Sequence, residues 1–373
     1  ANDDKRYQGY EYLGYEDLFK VDYGSIILEI SDESVLSQLP DYILLGKTSE
    51  QPIIKIADTE IDLDEALKKW QAPLEDVFPT KVDYEAEKPE IELYQERNTK
   101  RPAVKIAKPR VFIPAFPGTN CEYDSARRFR EAGAEVDTFV FKNLKPEMVE
   151  ESVEAMVKKI DNSQIIMLPG GFSAGDEPEG SGKFIATVFR NPAVKEAVMR
   201  LLNDRDGLML GICNGFQALV KLGLLPYGEI QEVDQDSPTL TFNTIGRHVS
   251  CMVRTKVIST LSPWLSKVEA GAEHMIPVSH GEGRFIASDK VLDKLINNGQ
   301  IATQYVDLTG EATYDISYNP NGSVMAIEGI TSPDGRIFGK MGHSERIGNN
   351  IAKNIPGDKD QKLFEAGVEY FKL

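Results

Sequence analysis

The feature that most constrains this chain is a cysteine between two glycines, Gly-Ile-Cys-Asn-Gly at residues 211–215. The apolar run at 208–210 predicts a buried strand, and residues 216–220 predict the start of a helix. A cysteine at a strand-to-helix turn is typical of a nucleophile elbow, in which glycines tolerate the strained backbone and let a substrate approach. The N-terminus of the helix would point its positive dipole end at the sulfur. Cys213 is therefore the candidate nucleophile.

A second signal lies near the end of the chain, where His343 and Glu345 are two residues apart. In an extended segment such residues face the same side, so Glu345 can hold the imidazole while the imidazole faces the nucleophile. Residues 324–327 and 336–339 predict two strands that are joined through the turn sequence Pro-Asp-Gly at 333–335. This hairpin would deliver His343 at the end of a strand.

A third signal is the pair of glycines, Gly170 and Gly171, directly after the apolar strand predicted at 165–168. A glycine turn at the carboxyl end of a strand can present a backbone N–H to a developing oxyanion. We expect the N–H groups of Gly171 and Asn214 to form the oxyanion hole.

Together these three signals resemble the class I (triad) glutamine amidotransferases. Four segments, 116–121, 170–176, 211–217 and 280–285, further resemble the glutaminase part of the formylglycinamide ribonucleotide amidotransferases, which are enzymes of purine biosynthesis. The resemblance covers roughly residues 107–373 and is specific, because the four segments occur in the family's order. Ser344 stands where the family commonly has proline, but it lies between His343 and Glu345 and is expected to point away from both.

The resemblance implies a Cys213–His343–Glu345 triad that hydrolyses glutamine to glutamate and ammonia. It implies that the ammonia supplies the ATP-dependent amidation of formylglycinamide ribonucleotide, with glutamine and the synthetase domain of the same full-length chain as partners. No cofactor or metal is expected in this chain, and ATP and magnesium are expected in the synthetase part outside it. The resemblance places glutamine-binding residues at Gly170, Phe172, Gln217, Ser279, His280, Gly281 and Glu282.

Some of these residues also have ordinary structural interpretations. Cys213 fits a buried structural thiol, His280 a satisfied loop histidine, and Gln217 a polar helix residue, although Gln217 lies one turn beyond Cys213 on the same helix face. His248 and His274 are expected to be structural. Cys121 is expected to have no catalytic role because no base is in sight, and Asn120 or Thr119 is expected to cap the following helix.

The segment before residue 107 is similar to the tail of the synthetase, the ATP-dependent domain that precedes the glutaminase in the single-chain enzyme. Strands are predicted at 24–30, 43–48 and 52–56, a short helix at 32–36, and a helix capped by Asp62 at 62–70. Residues 81–106 form a charged linker, since ten of the twenty residues from 81 to 100 are charged. The predicted organisation is a synthetase tail at 1–80, the linker, and the amidotransferase domain at 107–373, which makes the chain a fragment.

The pattern after the linker predicts an α/β fold with a doubly wound, mostly parallel sheet, preceded by a small α+β fragment. Strands are predicted at 110–115, 135–141 and 165–168, and helices at 123–132, 146–160 and 192–202. Residues 230–330 predict strands and hairpins that extend the sheet in mixed orientation. Asn120, Gly171 and Cys213 each follow a strand, at the edge where ligands bind such sheets.

Composition narrows the function class and the compartment. A net charge of −17 argues against nucleic acid and anionic membranes as partners. Three widely spaced cysteines without metal-ligand spacing favour a reducing compartment, and no apolar run approaches a membrane span, so we expect a cytoplasmic protein.

Two other functions fit parts of the pattern. A ThiJ/PfpI-type cysteine hydrolase also carries an elbow cysteine, although the late His-x-Glu hairpin argues against it. A fragment that docks on its partner and catalyses nothing by itself is the other alternative.

Overall fold

The chain divides into two compact units, residues 1–80 and 81–373. A computed structural model of the chain describes residues 18–39, 42–84, 88–175 and 182–372. Asp176, the last residue of the 170–176 segment quoted above, lies outside the described residues.

The first unit contains a hairpin of β1 (Ile53–Ile56) and β2 (Thr59–Asp62), followed by helix α1 (Leu63–Glu75). Asp62 caps α1 as predicted, because its carboxylate accepts the Glu65 N–H at 3.0 Å. The predicted short helix is a 3-10 helix at Glu33–Gln38. The strands predicted at 24–30 and 43–48 are wrong: these apolar runs are exposed and have no strand partner among the described residues.

The second unit is built on a sheet of nine strands. The strands of this unit are β3 (Arg110–Ala115), β4 (Glu135–Val140), β5 (Ile165–Leu168), β6 (Leu208–Ile212), β7 (Thr239–Phe242), β8 (Val249–Val257), β9 (Glu273–His280), β10 (Glu282–Ile286), β11 (Ile301–Tyr305), β12 (Ile327–Thr331) and β13 (Ile337–Lys340). Of these, β7 and β10 pair with each other in a separate two-stranded antiparallel sheet. The helices of this unit are α2 (Glu122–Glu131), α3 (Pro146–Asp161), α4 (Lys183–Phe189), α5 (Pro192–Asp204), α6 (Asn214–Lys221), α7 (Leu224–Tyr227), α8 (Asp289–Asn297) and α9 (Leu363–Glu369).

The strand order of the large sheet is β4-β3-β5-β6-β13-β12-β11-β8-β9. The five strands from β4 to β13 are parallel, and the remaining pairings are antiparallel. The doubly wound α/β prediction is therefore confirmed, and so is the mixed extension at 230–330. The strand predicted at 324–327 differs, because a short 3-10 turn occupies Val324–Ala326 and β12 begins at Ile327.

The parallel half is buried on both faces, which explains its continuous apolar strands. Every residue of β5 and β6 is buried, and the predicted bounds of β3 and β5 are the observed ones. The chain runs from β3 through α2 to β4 at the edge of the sheet, and then in the opposite direction through α3 to β5 and through α5 to β6. Because each crossover is right-handed, α2 lies on one face of the sheet and α3 and α5 lie on the other. The contacts agree, since α2 packs against α9 whereas α3 packs against α5.

Local sequence signals explain why these helices begin where they do. Asn191 caps α5 by accepting the Ala193 N–H, and proline follows at the first helical position. The buried side chains of α5 recur at helical spacing and face the core: Val194, Ala197, Val198, Leu201 and Leu202. Among the residues that the structure describes, no helix is both long enough and apolar enough to cross a bilayer.

The charged segment before β3 belongs to the second unit and is held by backbone and side-chain hydrogen bonds to its sheet and turns. Tyr94 forms a bridge with Ser259, and its carbonyl accepts the Thr260 N–H at 3.0 Å. The side-chain amide of Asn98 donates to the Asp334 carbonyl, and the side-chain amide of Gln304 donates to the carbonyl of the buried Pro89. From Pro89 to Asn98 the segment therefore has a fixed course along this unit.

Candidate active site

Cys213 is held in a strained backbone conformation at the turn between β6 and α6, with φ 53° and ψ −107°. For a residue with a side chain this is a sparsely populated region that costs about 1–3 kcal/mol. The Cys213 N–H donates to the Lys340 carbonyl at 2.8 Å, so the turn is fixed to the end of β13. The sulfur is nearly buried and points toward the Ser279 carbonyl at 3.8 Å.

The two glycines of the elbow have a different role from the one predicted. The strained backbone belongs to Cys213, whereas neither Gly211 nor Gly215 has a positive φ. A Cβ atom on Gly215 would lie 1.9 Å from the Leu168 carbonyl oxygen, and one on Gly211 would lie 2.5 Å from Leu219. The absence of side chains at these glycines lets α6 pack directly on the strands, and this close packing fixes the position of the Cys213 turn.

His343 follows β13 by three residues and is anchored by its N–H, which donates to the Pro277 carbonyl at 2.8 Å. Its Nδ1 lies 2.6 Å from Glu345 Oε1, and both side chains are buried. A Cβ on Gly170 would lie 2.7 Å from His343 Cε1 and 3.4 Å from Cys213 Cβ. The structure therefore brings the predicted nucleophile, base and orienting carboxylate together beside Gly170.

The electrostatics of this pair favour charged forms on both partners. Burial alone would lower the pKa of the His343 imidazole, but the Glu345 carboxylate and the contacts with Cys121 and Cys213 raise that pKa well above its ordinary value. Burial would raise the pKa of Glu345, but the charge and hydrogen bond of His343 outweigh it and lower that pKa. His343 Nε2 has no hydrogen-bond partner among the described residues, so it is available to a reacting group.

A buried ion pair holds the segment that carries His343. Lys340 and Glu328 are both fully buried, 3.1 Å apart. Glu328 accepts the Gly342 N–H at 2.7 Å, while Lys340 Nζ donates to the Gly342 carbonyl at 3.1 Å and to Ser344 Oγ at 3.0 Å. Ser344 therefore points away from the His343–Glu345 pair, as predicted from its position, but it contributes to the support of that pair.

The glycine loop after β5, Gly170–Gly171, packs closely against the turn after β3. Gly171 has φ 141°, and a Cβ there would lie 2.6 Å from the Gly118 carbonyl oxygen. Its bridge with Thr119 uses the flanking peptide groups: Asn120 N–H donates to the Gly170 carbonyl and Phe172 N–H to the Gly118 carbonyl. This pairing does not use the N–H of Gly171 itself.

The residues predicted to bind glutamine lie in two places. Gly170 and Ser279 adjoin Cys213, and the half-exposed Phe172 lies at the outside of the site. Gln217 and His280 are buried, and their side chains contact other residues of the chain. Gln217 donates to the Glu282 carbonyl and accepts from Asn214 Nδ2 at 3.0 Å.

The loop from Ser279 to Glu282 is fixed mainly by Asn243. Its side-chain amide donates to the His280 carbonyl at 2.9 Å, and its N–H donates to the Gly281 carbonyl at 2.9 Å. Burial, with the charges of His343 and His248 added, lowers the pKa of His280 to about 3, so this imidazole is neutral at physiological pH. The ring contacts Asn243, because its Nδ1 lies 3.1 Å from the Asn243 Oδ1.

Two residues that were not expected to take part in catalysis, His248 and Cys121, lie at the site. His248 Nε2 lies 3.0 Å from Ser279 Oγ, and its ring centroid is 6.1 Å from that of Phe172. Cys121 Sγ lies 3.8 Å from His343 Nδ1, so the expectation that it has no base nearby is wrong. The expected cap is also wrong, because Cys121 itself occupies the N-cap position of α2 and no side chain caps it.

The sulfur of Cys121, a ring nitrogen of His343 and a carboxylate oxygen of Glu345 lie within 4.8 Å of one another, and these are ligand types that zinc prefers. Arg346 donates to the Cys121 sulfur at 3.0 Å, and Glu345 is bound to His343 Nδ1. A divalent cation would have to break the His343–Glu345 bond and approach a guanidinium charge. The contacts therefore favour a proton-transfer site over a metal site.

Comparison with known proteins agrees with this geometry. The family model described as CobB/CobQ-like glutamine amidotransferase domain matches residues 108–371. The phosphoribosylformylglycinamidine synthase subunit PurQ of Methanococcus maripaludis is 34% identical over 281 residues, which cover 70% of this chain and 97% of that protein. The chain belongs to this glutamine amidotransferase family.

Two further relatives support the assignment within the family. The PurQ subunit of Mycobacterium tuberculosis is 35% identical over 261 residues, which cover 70% of this chain and 96% of that subunit. The solved structure of PurLQS from Thermotoga maritima is 26% identical, with a TM-score of 0.51, and the match covers 71% of this chain and 100% of that one. The predicted resemblance to the glutaminase of formylglycinamide ribonucleotide amidotransferase is confirmed, and the ThiJ/PfpI alternative is disfavoured.

The buried ion pair generates a prediction about stability. Replacing Lys340 by methionine leaves Glu328 buried without its cation, so we expect a loss of about 3–5 kcal/mol in the free energy of unfolding. The double variant Lys340→Met/Glu328→Gln removes the uncompensated charge and should recover more than half of that loss. Urea unfolding of both variants measures the difference, and a double variant no more stable than Lys340→Met would contradict the prediction.

The His343–Glu345 pair generates a prediction about pH. Because the folded-state pKa of His343 is raised, its stabilising effect is fully present below its unfolded value of about 6.5 and is lost as pH rises through the folded value. Because the pKa of Glu345 is lowered, its effect is present above its unfolded value near 4.5 and is lost as pH falls through the folded value.

Wild-type protein should therefore exceed Glu345→Gln in stability most strongly near pH 6, by about 3 kcal/mol. Melting temperatures measured from acid to alkaline pH test this, with Glu311→Gln, an exposed carboxylate, as the control. A difference that stays constant across the alkaline range would contradict the raised pKa of His343.

Proposed function

We propose that this chain hydrolyses glutamine to glutamate and ammonia through Cys213, His343 and Glu345. The observation that carries the proposal is the parallel pairing of β6 with β13, because it sets the strained Cys213 turn beside the buried His343–Glu345 pair. The three side chains have the order of roles that acyl transfer needs: a nucleophile, a base, and a carboxylate that orients the base.

The proposed reaction begins when the Cys213 thiolate attacks the carboxamide carbon of glutamine and forms a C–S bond. The proton held at His343 Nε2 passes to the leaving nitrogen, the C–N bond breaks, and ammonia departs. His343 then removes a proton from water, which attacks the thioester. The C–S bond breaks, the sulfur leaves as a thiol or thiolate, and glutamate is released.

Two backbone N–H groups are proposed to stabilise the oxyanion. Asn214 is the first residue of α6, so its N–H is at the positive end of the helix dipole. Gly171 contributes its own N–H, which the bridge to Thr119 does not use. Such donors, fixed before the reaction, are worth about 2.7–4 kcal/mol each in related acyl-transfer sites.

Gly170, Phe172 and the loop from Ser279 to Glu282 are proposed to bind the amino-acid end of glutamine. The loop offers backbone groups next to the Cys213 sulfur, and Asn243 keeps them in place. Gln217 supports the far end of the same loop through the Glu282 carbonyl. We therefore propose that Gln217 and His280 act on glutamine through this loop.

The ammonia is proposed to supply an ATP-dependent synthetase that amidates formylglycinamide ribonucleotide in purine biosynthesis. Support comes from the relatives, which are named as PurQ subunits of phosphoribosylformylglycinamidine synthase, and from a PurLQS structure. The described residues between 18 and 80 also expose large apolar side chains, which are typical of protein interfaces, including Ile26, Ile27, Trp70 and Val77. ATP and magnesium belong to that partner in this proposal.

The triad is tested by its variants in the enzyme assembled with its synthetase component. We expect His343→Ala to reduce glutamate release by roughly 10²–10⁴-fold, because it removes the proton transfer itself. Glu345→Ala should cost less, because it removes only the orientation of the imidazole. A chloroketone analogue of glutamine should label each chain once, at Cys213.

Peptide mapping and Cys251→Ser, a half-buried thiol outside the site, provide the controls. Label found at Cys121 or Cys251, or equal turnover by wild type and His343→Ala, would overturn the triad.

The coupling to a synthetase is tested by adding that component. Glutamate production by the chain alone should be slow and should rise when the synthetase component, carrying nucleotide and formylglycinamide ribonucleotide, is present. The physical reason is a catalytic conformation that is rarely populated until the partner favours it. Equal rates with and without the loaded component would mean that the glutaminase is autonomous, whereas no turnover in either case would favour a docking role.

A further inference from the structure

A second thiol lies against the catalytic base. Cys121 is fully buried, and its Sγ makes three polar contacts: the Asn120 Oδ1 accepts from it at 2.9 Å, Arg346 donates to it at 3.0 Å, and His343 Nδ1 lies 3.8 Å away. With its S–H directed to Asn120, the sulfur presents its lone pairs to the guanidinium and the imidazole. The triad chemistry does not require Cys121, yet three side chains make polar contacts with its sulfur.

We propose that Cys121, fixed by Arg346, is a positioning residue that keeps the His343 imidazole aligned and stabilises its protonated form. This inference rests on the proposed triad and adds a residue to it. Cys121 does not reach the substrate in this proposal, so it acts on the reaction only through His343.

The geometry shows what the sulfur does to the ring. Glu345 Oε1 and Cys121 Sγ both face His343 Nδ1, at 2.6 and 3.8 Å. Gly170 closes the Cε1 edge, because a Cβ there would lie 2.7 Å from Cε1 and 3.1 Å from the Cys121 sulfur. The ring is therefore confined on its Nδ1 and Cε1 sides, while Nε2 has no hydrogen-bond partner among the described residues.

The charges around the ring explain why a polarisable acceptor is useful there. The titratable groups that face or interact with His343 are Glu345, Cys121, Cys213 and His280, and Arg346 adjoins Cys121 and Glu345. When His343 accepts a proton, Glu345 is its only carboxylate neighbour among these groups. The Cys121 sulfur, 3.8 Å from Nδ1, adds partial negative charge beside the ring, and its hydrogen bond from Arg346 holds it in that place.

A second arginine, Arg127, provides a control that distinguishes positioning of the sulfur from general support of the segment. Arg127 donates to the Glu345 carbonyl at 3.2 Å and to the Ile347 carbonyl at 2.9 Å, so it holds the same segment through backbone alone. Arg127→Gln therefore tests loss of packing around the segment, whereas Arg346→Gln tests loss of the contact with the sulfur.

The experiment measures the protonation of His343 by imidazole NMR and the rate at which the glutamine chloroketone alkylates Cys213, both in the full chain. His343→Gln identifies the signal among the four histidines. Cys121→Ala should lower the pH midpoint of His343 and slow alkylation by roughly tenfold, the size expected from a small misplacement of the base. Cys121→Ser should recover part of both effects, since a hydroxyl also accepts a hydrogen bond.

Arg346→Gln should slow alkylation in the same direction, whereas Arg127→Gln should lower the melting temperature without moving the midpoint of His343. A wild-type midpoint and rate in Cys121→Ala would overturn the inference, and so would an equal shift in Arg127→Gln. If Cys121→Ala does not fold, Cys121→Ser and Arg346→Gln carry the same test. Rapid alkylation in His343→Gln would instead overturn the triad, so the two failures are distinguishable.

Discussion

The site depends on one constraint, the parallel pairing of β6 with β13. The register sets Ile212 beside Lys340, and the Cys213 N–H then donates to the Lys340 carbonyl at 2.8 Å. Carboxyl ends of parallel strands meet at one edge of a sheet, so the turn after β6 and the segment after β13 emerge together. Residues 130 positions apart in the chain thus become neighbours through backbone hydrogen bonds, with no flexible side chain needed to bring them together.

Holding two buried ion pairs next to each other is costly in free energy, since desolvation of each charge must be offset by its partner and by hydrogen bonds. Lys340 and Glu328 meet this condition by binding both the N–H and the carbonyl of Gly342, the residue before His343. The polar network is therefore useful chiefly as a way to specify one conformation of the segment. Hydrophobic replacements could hold the strands together, but they would leave both Gly342 groups unsatisfied.

Local patterns were sufficient to predict the parallel half and the elbow. The apolar runs of β3 and β5 gave their observed bounds, since buried parallel strands have a strong signature in the sequence. In residues 24–30 and 43–48 similar runs failed, because a strand needs a pairing partner that a local pattern does not reveal. The predicted triad residues lie together, whereas the expectation that Cys121 has no base nearby was wrong, and the contact of His248 with Ser279 was not predicted. Their neighbours His343 and Ser279 are distant in sequence, and neither residue lies in a segment whose spacing predicts that contact.

The packing that brings Cys121 to His343 also shapes the glycine loop after β5. The bridge between Thr119 and Gly171 interleaves the turn after β3 with the turn after β5, and both Asn120 and Cys121 donate their N–H groups to the Gly170 carbonyl. Any side chain at Gly171 would clash with the turn after β3, and any side chain at Gly170 would crowd both the Cys121 sulfur and the His343 imidazole. The two glycines therefore do more than free a backbone N–H. They let the two turns pack so closely that a side chain at either glycine would displace its neighbours, which are the Cys121 sulfur and the His343 ring at Gly170 and the turn after β3 at Gly171.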